Sequence, residues 1–309
     1  MNSLHLTGLV AAPHSPFTAD GDLDLRVVEQ QVAVLVEGGI SAAFVCGTTG
    51  EGASLTTAER GRLAKRWVEA SGSSLPVIVH VGHLSLGDAR ALAANAQEVG
   101  AAAISALSPS FFKPANVSDL VSFCAQVASA APALPFYYYH LPSMTGVAHS
   151  MVNFMGQARE RIPTFAGIKF THNDWMEFRQ CVRIADGAQD ILFGRDEMLL
   201  AGLAAGARGA VGSTYNYAAP AYRKMIAAYD TGNLAAAQAC QDQSIRLVEV
   251  LRRYGEIPAA KAIMEMMGVQ VGPPRAPLGR LDAARKQELF RDLQGLDIFT
   301  RPLRSPAAG

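Results

Sequence analysis

Short apolar segments alternate with longer amphipathic segments along most of this chain, from about residue 6 to residue 230. The short segments have the length and composition of β-strands, and the longer ones repeat their apolar residues at helical spacing. Eight strands are predicted, at Leu6–Ala12, Ala42–Gly47, Pro76–Gly82, Ala102–Leu107, Phe136–His140, Phe165–Thr171, Ile191–Arg195 and Gly209–Ser213. A strand and helix repeated in this way form either a closed barrel or a doubly wound sheet, and we predict an α/β fold of the (β/α)8 TIM-barrel type.

The segments after residue 230 lack further strands and carry Ala, Leu, Met and Arg at helical spacing. The usual length of a TIM barrel is roughly 250 residues, so these segments form a remainder. We therefore predict a barrel over residues 1–230, a C-terminal helical extension over 231–300 that packs on it, and a disordered tail over 301–309.

The second predicted strand ends in the glycine-rich run Gly47–Gly52, which contains Thr48 and Thr49. In a barrel, the reacting groups gather at the carboxyl ends of the strands. Glycines there allow a sharp turn that leaves backbone N–H groups and hydroxyls free to hold an anion. The GxxGxG spacing differs from the dinucleotide fingerprint, and the lysine of a P-loop is missing. We predict a carboxylate ligand, with an ordinary βα turn as an equal alternative.

The sixth predicted strand contains a lysine among apolar residues. Alternation with a period of two puts Gly167, Lys169 and Thr171 on one face, and Ile168 and Phe170 on the other. The lysine is therefore predicted to point into the barrel, where burial favours a neutral, nucleophilic amine that can form an imine with a ketone. The alternative is a lysine that reaches out to solvent or pairs with a carboxylate.

The fifth predicted strand places a phenol close to this lysine. Tyr137 and Tyr139 share one face, and Tyr139 lies nearer the carboxyl end. An aromatic run alone is typical of a protein core, but a tyrosine beside a reactive lysine can relay protons. We predict that role for Tyr139.

The last two predicted strands also end in polar residues. Asp196 and Glu197 follow the seventh strand, where they can bind the hydroxyls of a polar substrate, bind a metal or cap the next helix. Two carboxylates together at a barrel mouth favour a polar substrate. Ser213, at the end of the eighth strand, is predicted to reach the same pocket.

Composition narrows the class of ligand. Basic and acidic residues are equal at 27 each and form no block, which argues against nucleic acid or an anionic membrane and leaves a small molecule. The four cysteines are far apart and form no zinc-type cluster, so we expect reduced thiols. We also predict no metal and no cofactor. The chain has no apolar run of membrane-spanning length and no signal-peptide pattern at its start, so a cytoplasmic location is expected.

At these residues the chain resembles the family of dihydrodipicolinate synthases and N-acetylneuraminate lyases, and within it the animal-type lyase branch. The likeness covers nearly the whole chain and rests on four segments, Gly47–Gly52, Pro135–Pro142, Gly167–Thr171 and Gly212–Tyr217. The resemblance implies that Lys169 is the Schiff-base residue, that Tyr139 relays the proton, and that Thr48 and Thr49 hold the carboxylate of a 2-oxo acid. Other positions match family contacts to the substrate chain or to sugar hydroxyls, namely Thr171, Gly194, Asp196, Glu197 and Ser213.

Two positions distinguish the branches of this family. Synthases carry an arginine in a Pro-Ser-Arg-Thr-Gly stretch that binds the carboxylate of a second substrate, and this chain has Met144 there. Phe111 and Phe112 stand where the synthases place a tyrosine at the subunit interface. These two positions weaken the synthase alternative, so the resemblance implies a lyase that reversibly cleaves N-acetylneuraminate to N-acetylmannosamine and pyruvate. The family also suggests a homotetramer.

Two other functions are open at this point. One is another pyruvate-dependent lyase or hydro-lyase of the same family, acting on a different 2-oxo-3-deoxy acid. The other is a non-catalytic barrel that binds a 2-oxo acid, which the presence of both Lys169 and Tyr139 disfavours.

Overall fold

A computed structural model describes residues 5–306 of the 309-residue chain. Eight parallel strands close into a barrel in chain order, and β1 pairs with both β2 and β8. The strands are β1 (Gly8–Ala11), β2 (Ala42–Val45), β3 (Val77–His80), β4 (Ala103–Leu107), β5 (Phe136–His140), β6 (Phe165–Phe170), β7 (Asp190–Phe193) and β8 (Gly209–Gly212). The predicted TIM barrel is confirmed, with most strands shorter than predicted by one to three residues.

Helices follow the strands around the outside of the barrel. They are α1 (Val28–Glu37), α2 (Thr57–Ser71), α3 (Leu86–Glu98), α4 (Val117–Ala128), the short α5 (Pro142–Thr145), α6 (Met151–Arg161), α7 (Trp175–Ala185), α8 (Leu199–Ala204) and α9 (Tyr215–Asp230). Several begin where a small polar side chain accepts a hydrogen bond from the first helical turn, which satisfies one otherwise unpaired N–H. These capping residues are Thr56, Ser85, Asn116, Ser150 and Asp174.

The apolar residues form two layers separated by the strands. The outer layer packs the strands against the helices and contains Ile168 and Phe170. The inner layer fills the barrel and contains Phe44, Tyr137 and Tyr139. Because side chains alternate along a strand, Lys169 between Ile168 and Phe170 faces the interior.

A polar contact closes the amino-terminal end of the interior. The Tyr137 hydroxyl donates to Asp190 Oδ2 at 2.7 Å, and the Leu6 backbone N–H donates to the same oxygen at 2.8 Å. Tyr137 therefore has its polar end at the opposite end of the barrel from the βα loops.

Three further helices follow the barrel, α10 (Leu234–Tyr254), α11 (Glu256–Met266) and α12 (Ala283–Asp292). Beyond them, the Arg304 N–H donates to the Met266 carbonyl at 2.9 Å, and Arg301 pairs with Glu37 at 2.7 Å. Residues 307–309 lie outside the described part, and the division at residue 230 and the disordered tail over 301–309 stay predictions.

Within residues 5–306, no helix is long and apolar enough to cross a membrane. The same part of the chain contains no group of three His, Cys, Asp or Glu side chains arranged to hold a metal ion. The four cysteines, Cys46, Cys124, Cys181 and Cys240, are unpaired and buried.

Candidate active site

The carboxyl ends of the strands open into a cavity of about 810 Å³, a volume typical of a site for a small organic ligand. Its walls come from the βα loops, from α10 and α11, and from residues 278–281 of the extension. Every predicted site residue lines it, namely Thr48, Thr49, Tyr139, Lys169, Thr171, Gly194, Asp196, Glu197 and Ser213.

Lys169 lies on the floor of this cavity and is only 5% exposed. Its Nζ is 4.0 Å from the centroid of the Tyr139 ring and 4.5 Å from that of the Phe44 ring. Among the described residues no carboxylate forms an ion pair with it within 4.0 Å. The faces of aromatic rings attract positive charge, so this setting stabilises a cation at the lysine nitrogen without providing a fixed anion.

Tyr139 lies directly across the strand pair from Lys169, because the register of β5 and β6 pairs these two residues. Its hydroxyl is 3.5 Å from Thr48 Oγ1, and either oxygen can be the donor. The ring packs edge-on against Phe44 and His80. The phenol is therefore held in place on one side of the amine, with a second hydroxyl in contact with it.

The Gly47–Gly52 run forms a compact turn. The Gly52 N–H donates to the Gly47 carbonyl at 3.0 Å, and the Glu51 N–H donates to the Thr48 carbonyl at 3.0 Å. A Cβ on Gly52 would overlap the carbonyl oxygen of Cys46, so only glycine fits there. The turn directs Thr48 and Thr49 to the cavity wall, next to Tyr139.

Asp196 is buried against the end of β8. Its Oδ2 accepts hydrogen bonds from the Thr214 N–H at 2.8 Å and from Thr214 Oγ1 at 2.6 Å. A Cβ on Gly212 would overlap this carboxylate, so the glycine makes the approach possible. Burial raises the pKa of Asp196 to about 6, although the hydrogen bonds from Thr214 oppose the shift.

Glu197 lies at the mouth of the cavity between two arginines. Its Oε1 accepts from Arg195 Nη2 and from Arg252 Nη2, each at 2.9 Å. Neither Asp196 nor Glu197 caps the helices that follow β7. The short 3-10 helix at Asp196–Met198 and α8 both begin without a hydrogen bond from a capping side chain. Both residues line the cavity.

The sequence model of the dihydrodipicolinate synthetase family matches residues 5–296. The chain belongs to this family. It is 42% identical to the N-acetylneuraminate lyase of Mus musculus over 302 residues, which are 96% of this chain and 94% of the mouse protein.

Two solved structures of bacterial family members superpose closely on this chain. The N-acetylneuraminate lyase of Proteus mirabilis gives a TM-score of 0.92 at 42% identity, covering 95% of this chain and 99% of its own. The N-acetylneuraminate lyase of Aliivibrio salmonicida gives a TM-score of 0.93 at 41% identity, covering 96% of this chain and 98% of its own. The predicted membership of the synthase and lyase family is confirmed.

Three residues that line the cavity or lie beside Lys169 were not predicted from the sequence. Phe44 shares its strand face with Ala42, so alternation along β2 was a signal that could have placed it inside the barrel. His14 lines the cavity, and burial lowers its pKa to about 3, so its ring is neutral. Arg252 reaches Glu197 from α10, and no local pattern in the sequence indicates that contact.

The raised pKa of Asp196 predicts a pH dependence of stability. The folded carboxyl takes up a proton as pH falls through about 6, whereas the unfolded carboxyl does so near 3.8. Between about pH 7 and about pH 5 the folded state therefore binds the extra proton, and the protein gains about 1 kcal/mol of stability from this group. Urea unfolding at both pH values measures the gain, and the Asp196→Asn variant is the control that lacks it. The same pH dependence in both proteins would contradict the assignment.

Proposed function

We propose that this chain is a Schiff-base (class I) aldolase that reversibly cleaves N-acetylneuraminate to N-acetylmannosamine and pyruvate. The observation that carries the proposal is the position of Lys169 Nζ between the rings of Tyr139 and Phe44 on the cavity floor. The family, and the names of relatives that are similar over nearly the whole chain, support the choice of substrate.

The reaction begins when the Lys169 amine adds to the ketone of the open-chain 2-oxo acid and water leaves, giving an imine. The protonated imine carries its charge close to the faces of the Phe44 and Tyr139 rings, which stabilise it. It then accepts the electron pair of the C3–C4 bond as that bond breaks, so that N-acetylmannosamine leaves with a new aldehyde. Protonation of the remaining enamine at C3 and hydrolysis release pyruvate and restore the amine.

The proton of the substrate C4 hydroxyl must leave as the C3–C4 bond breaks. Loss of water during imine formation uses the phenolic proton of Tyr139, and the phenolate that results is placed to take the C4 proton. Thr48 Oγ1, 3.5 Å from the phenol oxygen, is placed to assist. The same proton returns to C3 of the enamine after the sugar has left. A phenol held beside the lysine thus serves both steps.

The two ends of the substrate have different partners. Thr48 and Thr49 in the Gly47–Gly52 turn hold the carboxylate. The polyhydroxylated tail contacts the opposite wall, at Thr171, Gly194, Asp196, Glu197 and Ser213. Met144 also lines the cavity, and its uncharged side chain cannot pair with a second carboxylate. This favours a sugar aldehyde over an amino-acid-like aldehyde as the partner of pyruvate.

Two tyrosines of β5 give a matched test of the proton relay. Tyr139→Phe removes the phenol in the cavity and should lower kcat about 10²–10⁴-fold. Tyr137→Phe makes the same change on the same face of the strand, but its hydroxyl binds Asp190 at the closed end of the barrel, so kcat should stay near that of the unmodified enzyme. The assay is release of pyruvate from N-acetylneuraminate. Equal losses in the two variants, or no pyruvate from the unmodified protein, would overturn the proposal.

We further propose a cytoplasmic homotetramer. The four unpaired, buried thiols suit a reducing compartment. On the loop after β4, Phe111 and Phe112 are 77% and 86% exposed and pack edge to face at 5.0 Å. Exposed apolar side chains in contact with each other are typical of surfaces that bind another protein chain.

Light scattering tests the assembly. The protein should show four times the 32.7 kDa mass of one chain. Replacing both Phe111 and Phe112 by aspartate should reduce that mass, because charge at an apolar contact is unfavourable. A monomer in the unmodified protein would exclude the tetramer.

A further inference from the structure

A buried ion pair joins the Gly47–Gly52 turn to the C-terminal extension. Lys261 Nζ, on α11, is 2.7 Å from Glu51 Oε1, and both side chains are 1% exposed. An extension that follows the barrel in sequence thus reaches the turn that carries Thr48 and Thr49.

Lys261 also contacts the segment that leads out of β1. Its Nζ donates to the Ser15 carbonyl at 2.9 Å and lies 4.2 Å from the centroid of the Phe17 ring. The Ser15 hydroxyl in turn donates to the Gly50 carbonyl, inside the turn. The lysine therefore reaches the turn by two routes, directly through Glu51 and indirectly through Ser15.

The second oxygen of Glu51 is held by the extension as well. The Arg275 backbone N–H donates to Glu51 Oε2 at 2.8 Å. The Arg275 guanidinium group donates to the Ser54 carbonyl at 2.9 Å and pairs with Glu59 on α2. Both carboxylate oxygens of Glu51 thus contact the extension, which is itself tied to the chain just after the turn.

The backbone at Glu51 explains why such a restraint matters. Its φ is 51°, in the left-handed region that residues other than glycine seldom adopt. A conformation of this kind persists where the surrounding structure holds it in place. Moreover, both charges of the ion pair lose their hydration on burial, so the pair is a weak source of stability and a better means of specifying one conformation.

We propose that Lys261 is a positioning residue, which acts through Glu51 to hold the Gly47–Gly52 turn in the conformation that aligns Thr48 and Thr49 with the carboxylate of the 2-oxo acid. This rests on the proposed function, because it assumes that the turn binds that carboxylate. The consequence is that the extension sets the affinity for the carboxylate end of the ligand and has little effect on the ketone chemistry at Lys169.

The test compares two ligands on three variants. Lys261→Met removes the charge. Lys261→Met with Glu51→Gln removes both charges, so that no unpaired charge stays buried. The control is Lys286→Met. Lys286 is another lysine of the extension that pairs with a glutamate, but its partner, Glu265 at 2.5 Å, belongs to the extension and not to the turn.

The readout is the ligand concentration at which borohydride reduction converts half of the Lys169 side chains that it converts at saturating ligand. The ligands are pyruvate and methyl pyruvate, which keeps the ketone but lacks the charged carboxylate. For pyruvate, both Lys261 variants should need at least about tenfold more ligand, because small misplacements of binding groups have large effects. For methyl pyruvate, the half-saturating concentrations of both Lys261 variants should stay within about twofold of that of the unmodified protein. Lys286→Met should stay within the same range for both ligands.

The other outcomes separate the two proposals. If the unmodified protein forms no pyruvate adduct, the proposed function fails. If it forms the adduct but the double variant shows the same shift for both ligands, or no shift, the positioning role is wrong. A double variant that does not fold would assign the pair to folding and would also overturn the positioning role.

Discussion

The site depends on one constraint, the direction of the Lys169 side chain. It projects into the interior of a closed barrel and meets aromatic rings there, and no carboxylate of residues 5–306 pairs with it. Closure fixes the register of β5 and β6, and that register places Tyr139 opposite Lys169. Phe44 approaches the lysine nitrogen from β2. A carboxylate paired with this lysine would occupy its nitrogen, whereas the two ring faces contact the nitrogen without bonding to it and stabilise the positive charge of an imine formed there. The amine can therefore form a protonated imine in the same place.

The rest of the cavity divides into two chemically different ends around this nitrogen. The Gly47–Gly52 turn offers the hydroxyls of Thr48 and Thr49, which suit a carboxylate. The ends of β7 and β8 offer Asp196 and Glu197, of which the first is held by Thr214 and the second by two arginines. A ligand with a carboxylate at one end and hydroxyls at the other matches this division. The extension closes the cavity and contacts both ends, through Lys261 at the turn and Arg252 at Glu197.

Much of this arrangement follows from local patterns in the sequence. Alternating apolar segments predicted all eight strands, and alternation within β6 predicted that Lys169 points inward, because a strand side chain has only two directions to choose from. Phe44 obeys the same rule but was missed because a phenylalanine in a strand gives no chemical signal. The contacts of Lys261 and Arg252 could not be predicted from the sequence for a different reason. They join residues distant in the chain, and only the packing of α10 and α11 on the barrel brings them to the site.

The central claim is that Lys169 is the nucleophile that bonds covalently to a 2-oxo acid. Borohydride reduction of the folded protein in the presence of pyruvate, followed by mass spectrometry of its peptides, tests this most directly. The account predicts a stable reduced adduct on the peptide that contains Lys169, and none on the peptide that contains the buried Lys261. An unmodified Lys169 peptide, or an adduct confined to another lysine, would contradict it.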